Sequence, residues 1–224
     1  MNDYIALIRR MPSPDNEAGF AGDLAAALQA HESPLVFFHG DGIDALPELA
    51  AAGPGAASAV DYCICKTSLE RRSGAGAPAP AGRVATLVTF YQAVHSARRI
   101  DSLGLGGCFC CRPQHRRQVE DGSNPLLLEI GFAPASMRQR RETLEMALGA
   151  AALELDAAVL FHGQGLAHLA GDAARGWAQI TDFGLLGMYA QADRRISGSQ
   201  IAVQTVDAAQ AADLRARAGT ILIL

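Results

Sequence analysis

The chain carries no excess of positive charge. Its 19 Lys and Arg stand against 23 Asp and Glu, for a net charge of −4. That argues against direct nucleic-acid binding, which draws on a basic face to neutralise phosphates. No apolar run approaches the ~18 residues of a membrane span, so no membrane partner is expected. The opening MNDYIALIRRMPSP lacks the basic start and long apolar core of a signal peptide, and the cytoplasm is the expected compartment. Neither G-x-G-x-x-G nor a Walker-type loop is present, which weakens a flavodoxin-like nucleotide- or flavin-binding reading. Cysteine is sparse. Cys63, Cys65, Cys108, Cys110 and Cys111 are the whole complement. In a reducing compartment they are free thiols, redox groups or metal ligands rather than a disulfide frame.

What is present is one line written twice. VFFHGDGID begins at Val36, and VLFHGQGLA begins at Val159, 123 residues later. Each is an apolar run that ends in Phe-His-Gly and breaks at a second glycine. Under the same shift, YIALIRR at Tyr4 falls against LLEIGFA at Leu127. Both are short apolar runs followed by Pro and Ser, the pattern of strands entering loops. Helix-like stretches fill the gaps. Phe20, Leu24 and Leu28 mark the first, and Leu144, Ala147, Leu148, Ala151 and Leu155 the second, close to the spacing of one buried face. Two strand–helix–strand units at one offset predict a duplicated domain of roughly 100 residues per copy, with a period far too long for a solenoid.

The first half reads as a strand at 4–9, a helix at about 17–30, a strand at 34–38 and a short helical stretch near 44–52. AVDYCICKT reads as a third strand. TSLERRSG reads as one or two helical turns capped by Thr67, with Glu70 as the capping-box partner. GAGAPAPAG is a linker or loop, and 84–97 is apolar enough for a partly buried helix. The second half predicts strands at 126–132, 157–162, 200–206 and 220–224. Its predicted helices are 136–155, 174–189 and 207–218, the last started by Asp207 and stopped by Gly219. The four turn glycines, Gly40, Gly42, Gly163 and Gly165, are expected to supply positive φ. Alternating strands and helices predict an α/β fold of mostly parallel sheets with helices on both faces, and sites at the C-terminal strand ends.

With these residues in place, the chain resembles the DsrE/DsrF/TusBCD family of sulfur-relay proteins. AAVLFHGQGL, DFGLLGMY and QIAVQTVDAAQAADLRARAGTILIL make residues 126–224 similar to a TusC/DsrF-type subunit. In that family the Leu-Leu-Gly-Leu-Tyr segment closes a helix. LVFFHGDGI, CICKTSLERRSG and the LGLGG near 103–107 make residues 1–112 similar to a TusD/DsrE-type subunit, with 113–125 as a linker. The resemblance implies two tandem three-layer, flavodoxin-like domains and a persulfide carrier of sulfurtransferase type. It implies sulfur-donor and sulfur-acceptor proteins as partners, in sulfur oxidation or tRNA thiolation. A homo-oligomer follows as well, with fused pairs closing into a trimer that mimics a hexamer of subunits. No cofactor is implied. The sequence departs from the family in two places. After LGLGG the first half shows no final helix and strand, only CFCCRPQHRRQ. The second half reads RRISGSQ, with Ser197 and Ser199, where a thiol often stands. The first half would then be the active carrier and the second a scaffold.

Persulfide transfer needs an accessible thiolate. Cys65 ends a predicted strand just before a helix start, with Lys66 beside it and Arg71 and Arg72 within two turns, and the family motif points to it. A buried structural thiol is the bland alternative. Cys63 lies two residues away on the same strand face, as a resolving thiol or a core residue. Cys108, Cys110 and Cys111, beside Arg112, His115, Arg116 and Arg117, are the alternative acceptors. Their C-x-C and C-x-C-C spacings are not the C-x-x-C of zinc knuckles, so no metal is expected. His39 ends a strand and is a candidate general base; a turn histidine, like His162, is the plainer reading. The rival function from another class is a non-catalytic scaffold built of interaction modules.

Overall fold

The computed structural model describes residues 2–10, 17–47, 60–72, 82–97, 99–103, 125–192 and 201–224. It divides into two compact units, Met1–His115 and Arg116–Leu224. In the first, β1 (Tyr4–Ile8), α1 (Glu17–Gln29) and β2 (Pro34–Phe38) are followed by a 3₁₀ turn at Gly40–Ala45. Then come β3 (Asp61–Cys65), α2 (Lys66–Arg72), β4 (Arg83–Ala85), α3 (Leu87–Ser96) and β5 (Arg99–Leu103). The strands form one sheet in the order β4-β3-β2-β1-β5, and every pairing is parallel. The second unit runs β6 (Leu126–Ile130), α4 (Met137–Ala152), β7 (Ala157–Phe161) and a 3₁₀ turn at Gly163–Leu169. It continues through α5 (Gly171–Asp182), β8 (Gly187–Gln191), β9 (Gln204–Val206), α6 (Ala208–Arg217) and β10 (Thr220–Ile223). Its sheet, also all parallel, has the matching order β10-β6-β7-β8-β9. Each unit is α/β, a five-stranded all-parallel sheet flanked by helices, an arrangement consistent with a flavodoxin-like fold.

The central strands are continuous apolar runs because both of their faces are covered. β1 and β2 are buried at every residue. Tyr4, Ala6, Ile8, Val36, Phe38 and Ile64 pack with Phe20, Leu24 and Leu28 of α1. Alternation turns Phe37 the other way, onto Phe90 of α3 at 4.8 Å between ring centroids. In the second unit, Leu127 and Leu160 pack with Ala211 and Ala218 from α6 and the residue after it. The single tryptophan, Trp177 of α5, stands edge-on to Phe161 at 4.8 Å.

Several expectations need correcting. The shift of 123 holds for β2 and β7 but not for β1 and β6. Ile8 pairs with Phe38 and Ile130 with Phe161, so Tyr4 corresponds to Leu126, one residue before the sequence match. Residues 84–97 are not one helix. β4 ends at Ala85, and Thr86, in extended conformation, caps α3 through its hydroxyl and the Thr89 N–H. In the first unit a helix and a strand, α3 and β5, lead up to LGLGG, with β5 ending on its Leu103; the stretch after LGLGG lies outside the described residues. The helix predicted at 174–189 ends at Asp182, and the Leu-Gly-Met-Tyr segment is the turn into β8 and the start of that strand, not a helix end. Gly184, at φ 60°, stops α5 there. Thr67 lies inside α2 rather than before it. Asp207 caps α6 in a full capping box with Gln210, as expected. Gly219 follows α6 but is not in the left-handed region.

Candidate functional site

The site predicted from sequence lies at the C-terminal edge of the first sheet. Phe38 pairs with Ile64. One residue further, His39 and Cys65 stand side by side at their strand ends. Phe38 and Ile64 face α1; alternation therefore puts His39 and Cys65 on the α3 face, with Phe37 and Cys63. The 3₁₀ turn and α2 close over this edge. Ser68 Oγ accepts the Gly40 N–H at 3.0 Å, and Arg72 donates to the Gly40 carbonyl at 3.1 Å. Arg72 also binds Asp41 at 2.8 Å, and Asp44.

The thiols are covered. Cys65 is 1% exposed and Cys63 is fully buried. Burial first, then the neighbouring Asp61 carboxylate, pushes the Cys63 thiol up to about 12, with Arg83 opposing. The thiol donates weakly to Asp61 Oδ1 at 3.5 Å. Cys63 is therefore a protonated core residue and not a standing nucleophile. His39 is also fully buried, and neither ring nitrogen has a hydrogen-bond partner among the described residues. Burial, with the charges of Arg9 and Arg71, lowers it to about 3, so the ring is neutral at neutral pH. Tyr91 of α3 is also buried, its hydroxyl pushed up by desolvation and partly relieved by Arg9.

Of the cations expected around Cys65, Lys66 points outward to Glu70 at 3.8 Å, and Arg72 is taken by Asp41 and Asp44. Only Arg71 acts on the edge, through its charge on His39. Cys108, Cys110, Cys111, Arg112, His115, Arg116, Arg117, Ser197 and Ser199 lie outside the described residues. Among the described residues no three His, Cys, Asp or Glu gather as a metal site, and no helix is long and apolar enough to cross a membrane.

The glycines of the two His-Gly-x-Gly turns divide their work differently from the expectation. Gly40 and Gly163 have positive φ, at 60° and 51°, but Gly42 and Gly165 do not. Those two are needed for close approach. A Cβ at Gly42 would lie 2.1 Å from the Ile8 carbonyl oxygen, and one at Gly165 would lie 1.9 Å from that of Ile130.

The second unit holds a polar cluster that the sequence reading missed. Glu129 of β6 accepts from His162 Nε2 at 3.0 Å and from Arg215 Nε of α6 at 2.9 Å. Arg215 also reaches Gln191 Oε1, at the end of β8, at 3.4 Å. Burial pushes the Glu129 carboxyl up, but the bonds from His162 and Arg215 outweigh it and bring it down to about 2. A lone Glu in an apolar strand, LLLEI, was the available signal, since a buried carboxylate needs partners.

No family model, no curated protein and no solved structure matches this chain.

Proposed function

We propose that this chain is a sulfur-relay protein of the DsrE type. In this reading Cys65 of the first unit accepts sulfane sulfur as a persulfide and passes it to a cysteine of a partner protein. The observation that carries the proposal is the placement of Cys65 beside His39, on one face, at the C-terminal edge of a parallel sheet. A neutral His39 is able to take the thiol proton once the packing that buries both groups loosens. The thiolate then attacks the terminal sulfur of a donor persulfide, a new S–S bond forms on Cys65, and the donor thiolate leaves. At 1% exposure the sulfur is out of reach in the closed unit, so loading requires the groups packed over it to open.

That same burial favours a second reading, in which both units are non-catalytic assembly modules and Cys65 is a small apolar core residue. Intact mass after incubation with polysulfide or a cysteine desulfurase separates the two. The relay predicts a reductant-reversible gain of one sulfur that disappears in Cys65→Ser. No gain supports the assembly reading. A gain that survives Cys65→Ser but is lost when Cys108, Cys110 and Cys111 are replaced removes Cys65 from the relay.

A further inference from the structure

We propose that the C-terminal edge of the second sheet is a general-base site, in which His162, held by Glu129, presents Nδ1 to the S–H or O–H of a small ligand. The proposal does not rest on the sulfur reading of the first unit, and each stands or falls without the other.

The location is that of a ligand site in an open α/β sheet. β7 and β8 follow β6 to one side, while β10 returns to its other side, so the strand order reverses between β6 and β10. Ligands bind outside the carboxyl ends of strands at such a reversal. Glu129 lies in β6, His162 directly follows β7, and Gln191 ends β8. The backbone N–H of Leu224, just past β10, is bound to the Glu129 carbonyl at 2.8 Å.

The geometry is that of a base with its orienting group. An ionised carboxylate only accepts, so the 3.0 Å bond needs a proton on His162 Nε2. Nδ1 is then the lone-pair nitrogen, and no protein group among the described residues binds it. Exposure falls in the order the chemistry needs. The His162 side chain is 33% exposed, Arg215 26% and Glu129 12%. The base is open to a ligand and its orienting carboxylate is shielded. Gly131 keeps the ring clear, since a Cβ there would stand 2.6 Å from His162 Cε1. When Nδ1 takes a proton, the imidazolium sits against the Glu129 carboxylate, as in base–orienter pairs that activate nucleophiles. Two charged groups meet at the ring, Glu129 from β6 and Arg215 from α6. Gln191 from β8 is neutral.

The test is turnover of 4-nitrophenyl acetate by the full chain. The ester C–O bond breaks, 4-nitrophenolate leaves, and the acetyl group passes to water or to an added acceptor whose proton His162 removes. We expect steady release that is lost in His162→Gln. In Glu129→Gln it falls by about tenfold or more, and Glu129→Asp recovers part of it. Added 2-mercaptoethanol or ethanol, with S-acetyl or O-acetyl product identified by mass, tells which X–H group the site takes. Unchanged Trp177 emission and far-UV dichroism show that the variants are folded. If His162→Gln turns over the ester as fast as the parent, or if Glu129→Gln changes stability alone, the cluster is a structural clip and the proposal is overturned.

Discussion

The two sheet edges share a backbone and differ in chemistry. In both, the histidine after the second strand donates its N–H to an isoleucine carbonyl of the first strand, His39 to Ile8 at 2.9 Å and His162 to Ile130 at 3.0 Å. In both, the glycine three residues past that histidine sits against the same carbonyl. The neighbouring residue decides the rest. The first unit has Leu7 where the second has Glu129. His39 is sealed in with no hydrogen-bond partner among the described residues, while His162 gains a carboxylate and stays a third exposed. Glycine spacing sets the shape of this edge, and one residue on the adjacent strand sets what its histidine can do.

The shared shape is the easiest half of the comparison to break. Gly165→Ala and Gly42→Ala each drive a Cβ into backbone oxygen, where no side chain can yield. Each should cost about 3 kcal/mol or more. Urea unfolding read by Trp177 emission reports the second unit. Alkylation of Cys63 and Cys65, located by peptide mass, reports the first. Equal losses are expected. A Gly42→Ala loss much smaller than that of Gly165→Ala would mean that the duplicated turn is not held alike in the two copies.

Acid should separate the units. Unfolded His39 takes a proton as pH falls below the ordinary histidine value of 6.5, while the folded ring resists until about 3. The unfolded state binds more protons in that window. The stabilisation from keeping His39 neutral is complete above 6.5 and is lost toward pH 3, at up to about 1.4 kcal/mol per pH unit. Glu129 works lower. Its contribution is complete above 4.5 and is lost as pH falls toward about 2. The first unit should therefore loosen first on acidification, seen as faster labelling of Cys63 and Cys65 while Trp177 emission holds. His39→Leu should flatten that early slope. If labelling rises equally early in His39→Leu, the buried histidine is not the cause.

Legibility in the sequence followed the range of the interactions. The repeated line exposed two units, and apolar runs such as LVFF and LLL exposed strands buried on both faces, because those signals are local. β5 escaped notice because RIDSL looks polar. Its Asp101 is buried but bound by the Tyr4 hydroxyl at 3.0 Å, 97 residues away in sequence. β8 was lost inside a helix because DFGLLGMY carries apolar residues past the stop that Gly184 imposes. Cys65 was placed at a strand end, as β3 ends, but its near-complete burial depends on tertiary packing that local sequence does not carry. Glu129 became visible as a site only with Arg215, 86 residues on. Composition and periodicity do not carry pairings of that length.

The smallest expected effect lies within the second unit, between its two matched helix ends. α5 closes on Gly184, with Leu185 N–H bound to the Ile180 carbonyl at 3.0 Å and Gly184 N–H to that of Thr181 at 3.0 Å. α4 closes by the same pair of bonds, Leu155 to Ala150 at 3.2 Å and Glu154 to Ala151 at 2.9 Å. There the left-handed position, at φ 52°, holds a glutamate. A side chain in that region strains the backbone by roughly 1–2 kcal/mol, and glycine relieves this while adding some freedom to the unfolded chain. Glu154→Gly should therefore stabilise the second unit by about 0.5–1 kcal/mol net. Gly184→Ala, which meets no atom within 4 Å and so carries the backbone strain alone, should destabilise it by about 1 kcal/mol. Both shifts are read as urea midpoints of Trp177 emission at constant slope. Opposite signs at the two helix ends would show that the αL turn itself, and not the residue that fills it, terminates each helix. A loss in Glu154→Gly would instead mean that the glutamate side chain holds the α4 end by more than its backbone conformation costs.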